Sequence, residues 1–416
     1  MSKIIVDALD RFVSAVTARP TLRFAAAILC LNLVAGRAVN AEGLKIGALL
    51  PMTGGLKDFG RSSLNGIKLA VDEMNRAGGI LDLDVTIVVG DTQTSSRAGV
   101  AAAKNLVSEQ KVTAIVGALS SGVTIAVAKS VTIPAQVLQI SSAATSPEIS
   151  RLKDQDFIFR TAPKNASQGI ALARLFAQKS VRKIAVIYID NAYGRNLNAV
   201  FSRSYKGSII QAIAYNPLDN SYRAELKKAA QGGADRLLLI AYPKQGTVIL
   251  NQAIKGNYFK SFAFADGMKN PAIVKAVGAE YLNGSFATAP RTIGKGAKPF
   301  RRIYRTKFGA LPPLPYIDKA YDAAMLIGLS ALMSGKIEAK AMRQNLRKIS
   351  NPPGLEILPG EFRKAKKLIK AGKQINYTGA SGSLDMDEFG DVSSRFIHWE
   401  IQRGKIVIVK SISATD

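Results

Sequence analysis

Between Met52 and Ser63 the chain reads MTGGLKDFGRSS, in which Gly55 is followed after four residues by Gly60-Arg61-Ser62. A phosphate-cradling loop uses that spacing: its glycines let backbone N–H groups converge on the phosphates, and a lysine before the hydroxyl residue reaches the terminal phosphate. Arg61 stands where the lysine belongs, so nucleotide chemistry is not expected here. Other catalytic constellations fare no better. The one histidine, His398, lies beside the one tryptophan, Trp399, in a strand-like run, and any Ser-His-Asp triad would have to be built around it. GASGS, from Gly379 to Ser383, lacks the last glycine of a nucleophile turn. One His and one Cys are too few for a zinc site. The expectation is a protein without catalytic residues, metal or cofactor.

Polar turns at the ends of apolar runs remain: PMTGGLKDFG (51–60), GALSSG (117–122) and ISSAATSPE (140–148). In open α/β sheets, ligands bind at such carboxyl ends of strands. Ser121 and Thr145 offer hydroxyls together with backbone N–H groups near the start of a helix, a combination that suits a carboxylate. Equally, Ser and Thr at helix starts cap the helix and do nothing else. The residues alone leave both readings open.

The elements that would position these turns follow a regular alternation. LKIGALL (44–50) precedes a helix whose apolar face is Leu64, Ile67, Ala70, Val71 and Met74, stopped by Gly78-Gly79. VTIVVGD (85–91), VTAIVGA (112–118) and AQVLQIS (135–141) follow, separated by helical segments. Short continuous apolar strands between helices predict a parallel sheet covered on both faces. A second series, RKIAVIYID (182–190), SIIQAIAY (208–215), ADRLLLIAY (234–242) and SFAFAD (261–266), opens like the first. Lys45-Ile46 starts the first strand and Phe59-Gly60-Arg61 opens its helix; Lys183-Ile184 and Tyr193-Gly194-Arg195 do the same in the second. Two related α/β lobes are therefore expected. Beyond GSFATAPR (284–291) the periodicity is helical, over 298–308, 316–334, 339–349 and 361–371, and a hairpin of 395–401 with 405–409 turns at Arg403-Gly404. Helices returning after two lobes imply that the chain crosses between the lobes more than once.

Bulk properties set the compartment. FAAAILCLNLVAG (24–36), preceded by Arg19 and Arg23 and followed by Val39-Asn40-Ala41, has the basic flank, apolar run and small-residue site of a secretory signal. The run is shorter than the ~20 apolar residues a membrane span needs and is interrupted by Asn32, with an uncleaved anchor as the alternative to a cleaved signal. Cleavage after Ala41 would leave 375 of the 416 residues and remove Cys30, so the mature chain would hold no disulfide. The formal charge is +27, of which five basic and two acidic residues belong to the signal. Such a charge invites nucleic acid as a partner. Export and the absence of interleaved aromatics argue against it. The densest run, RKAKKLIKAGK (363–373), reads as a helix with a solvated basic face.

In order along the chain, IGALLPMTGGLKDFG, GGI, IVGALSSG, SSAATSPEIS, FRTAPKNASQG, DNAYGRNL and NYTGASGSLDMDEFGDV together resemble the periplasmic binding proteins of branched-chain amino-acid ABC transporters. The resemblance covers the whole mature chain. It implies a type I periplasmic binding fold: two Rossmann-like α/β lobes with parallel sheets, joined by a three-segment hinge. The lobes would be 42–162 with 289–381 and 163–288 with 382–416, after a signal peptide at 1–41. It also implies that Ser121 and Thr145 meet a ligand carboxylate and that the Ala143 carbonyl accepts from its ammonium group. Tyr193 and Tyr242 would come from the second lobe, and Asp266 would supply the counter-charge to the ammonium. Phe59 would pack over the ligand, Leu119 would line the side-chain pocket, and Tyr316 would do likewise. The implied protein is a periplasmic monomer that passes an amino acid to an inner-membrane ABC permease. A sensor on the same lobes, or a carrier of a short amide, urea or an aromatic acid, is the alternative. In this reading the loop at Met52–Ser63 is a cleft wall, with Arg61 turned to solvent.

Overall fold

The computed structural model describes residues 42–393 and 395–414. The expected signal segment, with Cys30, lies outside the described residues. The first lobe begins with β1 (Lys45–Leu50), α1 (Lys57–Arg76), β2 (Thr86–Asp91), α2 (Ser96–Ser108), β3 (Ala114–Gly117), α3 (Ser121–Val127), β4 (Leu138–Ser141) and β5 (Ile158–Arg160). The five strands form one parallel sheet in the order β2-β1-β3-β4-β5. Side chains of β1 alternate between its faces: Ile46, Ala48 and Leu50 join the core under α1, while Leu49 joins Ala103, Leu106 and Val123 from α2 and α3. Burying each of the leucine, isoleucine and valine side chains among these is worth about 1.5–3 kcal/mol. All five residues read as the apolar face of α1 are buried, and the helix ends where Gly78 and Gly79 take positive φ.

The second lobe contains α4 (Asn165–Gln178), β6 (Lys183–Ile189), α5 (Ala192–Ser204), β7 (Ser208–Tyr215), α6 (Arg223–Ala230), β8 (Arg236–Ile240), α7 (Pro243–Lys255), β9 (Phe262–Phe264), α8 (Pro271–Val277), α9 (Ala279–Leu282) and β10 (Phe286–Pro290). The chain then returns to the first lobe as α10 (Ala297–Phe308), α11 (Ile317–Ser334), α12 (Ala339–Ser350), β11 (Leu355–Ile357), α13 (Phe362–Lys370), β12 (Ile375–Gly379) and β13 (Gly382–Ser383). There α10, α11 and α13 pack against α1, and β11, β12 and β13 form a separate small sheet. A last crossing brings β14 (Phe396–Gln402) and β15 (Lys405–Ile412) to the second lobe. They extend its sheet to β15-β14-β10-β9-β8-β6-β7, parallel from β7 to β10 and antiparallel beyond. The hairpin turns at Arg403-Gly404, where both residues have positive φ.

The helical periods after residue 297 match α10 to α13 to within one or two residues. Four short strands, β5, β11, β12 and β13, were not expected. β5 and β11 owe their pairing to a distant segment rather than to their own pattern. The basic run forms α13 as expected, with Phe362 and Ala365 buried and Arg363, Lys364, Lys367 and Lys370 exposed. Among the described residues no helix is long and apolar enough to cross a membrane.

Candidate functional site

The wall formed by the loop after β1 is fixed by two close approaches. Gly54 has φ +80°, and a Cβ there would lie 2.1 Å from the Gln93 carbonyl; one on Gly60 would lie 2.1 Å from the Pro51 carbonyl. Asp91, at the end of β2, holds the loop by accepting from the N–H groups of Met52 at 2.9 Å and Thr53 at 3.2 Å and from the Thr53 hydroxyl at 2.7 Å. Burial works to raise the pKa of Asp91, but the hydrogen bonds from Thr53, Gln93 and Met52 outweigh it and hold the carboxyl below its usual value. The outcome is that Phe59 is buried in the cleft and Arg61 is exposed. The resemblance to a nucleotide loop was a by-product of this tight turning.

The turns after β3 and β4 are tied to each other. Ser121 Oγ accepts from the N–H groups of Thr145 at 3.1 Å and Ser146 at 3.2 Å, which leaves its own hydroxyl hydrogen free. Neither residue is a helix cap in the simple sense: the N-cap of α3 is Ser120, without a side-chain cap bond. The Thr145 hydroxyl is buried and has no partner. The Thr145 N–H, by contrast, is taken by Ser121, so what Thr145 presents to a ligand is its hydroxyl. Arg160, at the end of β5, braces this loop from behind. Its guanidinium is fully buried, donates to the carbonyls of Ser146 at 2.7 Å and Ala144 at 3.4 Å, and pairs with Asp391 at 2.5 Å.

Opposite stands the second lobe's contribution. Asn191 caps α5 through Gly194 N–H, which sets Tyr193 in the first turn; Pro243 starts α7 and leaves Tyr242 extended just before it. The two tyrosine rings stack with centroids 5.5 Å apart and planes at 16°. Asp266 follows β9 and is 3 % exposed. Its carboxylate accepts from Gln168 at 2.8 Å, from the Tyr193 hydroxyl at 2.9 Å and from the Tyr316 hydroxyl. Burial raises the Asp266 pKa, opposed by the hydrogen bonds from Tyr316, Gln168 and Tyr193. Burial and the charge on Asp266 in turn push Tyr193 and Tyr316 well above the ordinary tyrosine range, while Tyr242 is pushed up to about 12 by burial. Tyr316 occupies the left-handed region at φ +76°, which costs a non-glycine residue about 1–3 kcal/mol. That conformation directs its ring to Phe59, 6.4 Å away, and its hydroxyl to Asp266.

Phe59, Leu119, Ser121, Ala143, Tyr193, Tyr242, Asp266 and Tyr316 thus line one cavity together with Leu56 and Gly267, at the carboxyl ends of both sheets. Thr145 is hydrogen-bonded to Ser121 and does not itself line the cavity in this closed arrangement. The lobes are closed over the space. Ser120 and Tyr242 share a hydrogen bond of 3.1 Å, Asn270 donates to Asp58 at 2.9 Å, and Asn196 donates to Glu148 at 2.8 Å. The enclosed volume is about 20 Å³. A water needs ~10–15 Å³, so a larger guest enters only when the lobes part. Ser120, Gln168, Asn191 and Asn270 were not anticipated. Their polar side chains sit in or beside helix starts and read as caps, and only the contact across the cleft reveals more. His398, in contrast, is buried in β14 beside Glu400, with its pKa lowered by burial and no nucleophile paired to it.

A periplasmic binding protein family model matches residues 43–376. The chain is 29 % identical over 350 residues to the chemotactic signal transduction system substrate-binding protein BasB of Halobacterium salinarum, covering 82 % of this chain and 83 % of that one. It is also 29 % identical over 353 residues to the Leu/Ile/Val-binding protein homolog 7 of Brucella abortus, covering 77 % and 85 %. Among solved structures, the leucine binding protein LivK of Thermotoga maritima superposes with a TM-score of 0.75 at 23 % identity, covering 89 % of this chain and 98 % of that one. LivJ of Streptococcus pneumoniae, in complex with isoleucine, gives 0.74 at 24 %, covering 89 % and 99 %. These two share its fold. With the match running through both lobes, the chain belongs to the periplasmic binding protein family, in its type I architecture.

Proposed function

We propose that this protein captures an amino acid, branched-chain or closely related, in the cleft between its lobes and delivers it to an ABC permease in the inner membrane. The observation that carries this reading is Asp266: a buried carboxylate that makes no ion pair among the described residues. A buried charge without a counter-charge is costly, and a ligand ammonium group would offset that cost. Across the cleft, the free hydrogen of Ser121 and the unpartnered hydroxyl of Thr145 suit the carboxylate of the same ligand. The Ala143 carbonyl would accept from the ammonium, and Phe59, Leu119, Tyr193, Tyr242 and Tyr316 would enclose the side chain. A zwitterion held in this way touches both lobes, so its binding free energy favours the closed state. The names of the Leu/Ile/Val-binding relative and of the isoleucine-bound neighbour support the same ligand class.

On this reading the mature protein is a periplasmic monomer, released by cleavage after Ala41 and without catalytic turnover. Its lobes are 42–162 with 289–381 and 163–288 with 382–416, an allocation supported by the sheets that most strands join, although β10 stays in the second lobe's sheet as far as Pro290 and β13 (Gly382–Ser383) pairs with β12 in the first lobe. A thermal-shift screen of the mature protein against amino acids, short amides, urea and aromatic acids tests the proposal. Ligand at a hundred times its Kd stabilises by ~2.7 kcal/mol, an effect that a melting curve resolves. Leucine, isoleucine or valine should give the largest shift. A shift with amides or aromatic acids alone would overturn the amino-acid reading.

A further inference from the structure

Behind Tyr316, on the side away from the ligand cleft, lies a second cavity of about 470 Å³. Its walls come from both lobes: Lys269 follows Asp266 in the second, while the loop 311–316 and the start of α11 belong to the first. Both lysines that line it are buried, Lys269 at 6 % and Lys319 at 2 % exposure. Only one carboxylate lines it, Asp318, already shared between the Thr292 hydroxyl at 2.6 Å and Lys319 at 3.4 Å. Lys269 makes no ion pair among the described residues; its ammonium donates at 2.6 Å to the neutral carbonyl of Pro313. Arg301 stands at the exposed rim. Two buried ammonium groups and the guanidinium groups of Arg291 and Arg301 thus line a largely apolar cavity whose one carboxylate among the described residues is already engaged. Burial lowers the Lys269 pKa to about 8, with Asp318 only partly restoring it, which is the mark of a cation short of a partner.

We infer that this cavity is a binding site for a small oxyanion, a carboxylate or phosphate, held between Lys269 of the second lobe and Lys319 and Arg301 of the first. Such an anion supplies the missing counter-charge. Because its ligands come from both lobes, it also stabilises the closed arrangement that the cleft ligand selects, so the two sites assist one another. Tyr316, buried and bonded to Asp266, walls the two cavities apart. The oxyanion is therefore a separate molecule and not the side chain of the cleft ligand.

Inorganic phosphate titrated into the mature protein at pH 7, in chloride buffer of matched ionic strength and with no amino acid present, tests this by calorimetry and melting temperature. The expected result is one saturable site per chain, weakened roughly tenfold or more by Lys269→Met or Lys319→Met, as for the loss of a buried charge partner. Arg301→Met, at the exposed rim where folding is not at risk, should also weaken it. Lys370→Met, on the exposed face of α13, should not. A phosphate effect no larger than that of sodium chloride, or one untouched by all three site variants, overturns the inference. So does displacement of phosphate by glutamate but not by leucine, which would make the cavity an extension of the amino-acid site. None of these readouts requires that the amino-acid reading be correct.

Discussion

Replacing Asp266 by Asn removes one charge and almost no volume, and the surroundings can absorb the change. The amide NH₂ would meet either Tyr316, whose hydroxyl rotates to accept, or the side of Gln168 and Tyr193. Gln168 Oε1 is buried without a partner, so a flip of that amide supplies the missing acceptor. Folding should therefore survive, and the loss should fall on the ligand. Truncating one partner of a buried charge pair costs ~2–5 kcal/mol, or roughly 30-fold to 4,000-fold in Kd at ~1.4 kcal/mol per decade. Calorimetric titration of both proteins with leucine or isoleucine measures it. A des-amino analogue, 4-methylpentanoate, completes a cycle: it should bind the parent far more weakly than leucine does, and Asp266→Asn should lower its affinity no further. Equal leucine affinity in parent and variant would refute the pairing. A melting temperature that collapses in the variant would refute the claim that the surroundings adapt.

Thr145→Ala should weaken amino-acid binding by ~1.5–3 kcal/mol, the range for a hydrogen bond to a charged group, with little effect on stability, because the hydroxyl has no partner among the described residues. Ser121→Ala should lower both affinity and melting temperature, since two buried N–H groups lose their acceptor; paired calorimetry and melting curves separate the two variants. Arg160→Met breaks a buried pair and should cost about 3–5 kcal/mol in urea titrations, with the double variant Arg160→Met, Asp391→Leu recovering part of it. The pKa of Asp322 is raised by burial to about 6 despite hydrogen bonds from Ser381 and Ala380. A raised folded pKa means that the native state holds the proton more tightly. The stability this group contributes is full below the unfolded pKa and is lost as pH rises through the folded one. Parent stability relative to Asp322→Asn should accordingly fall by roughly 2 kcal/mol between pH 4 and pH 7, and a difference that stays constant with pH would contradict this.

What the sequence disclosed and what it hid divide along the distance over which contacts act. The period of Leu64, Ile67, Ala70, Val71 and Met74 is a local signal, and α1 follows it; the same holds for α10 to α13. β5, three residues long, exists because Ile158–Arg160 pairs with β4, and nothing within those three residues announces it. At the site, the nine residues that the resemblance marked come from both lobes, and all but Thr145 line one cavity. Gln168 meets Asp266 across 98 positions, and Arg160 meets Asp391 across 231. Pairings of that reach leave no local trace, because a polar residue near a helix start looks the same whether it caps the helix or serves a site. The lone lysines are a case in point. Lys269 reads as an ordinary surface residue in a strongly basic chain, and only its burial beside Lys319 singles it out.

The central claim is that a zwitterion bridges the lobes in a fixed orientation, and a crystal structure of the protein with its preferred amino acid tests it most directly. Ligand density is expected between Phe59 and Tyr193, with the carboxylate about 3 Å from the hydroxyls of Ser121 and Thr145 and the ammonium about 3 Å from the Asp266 carboxylate. Density with the two ends reversed, or a ligand in the cleft with no positive group near Asp266, would contradict it.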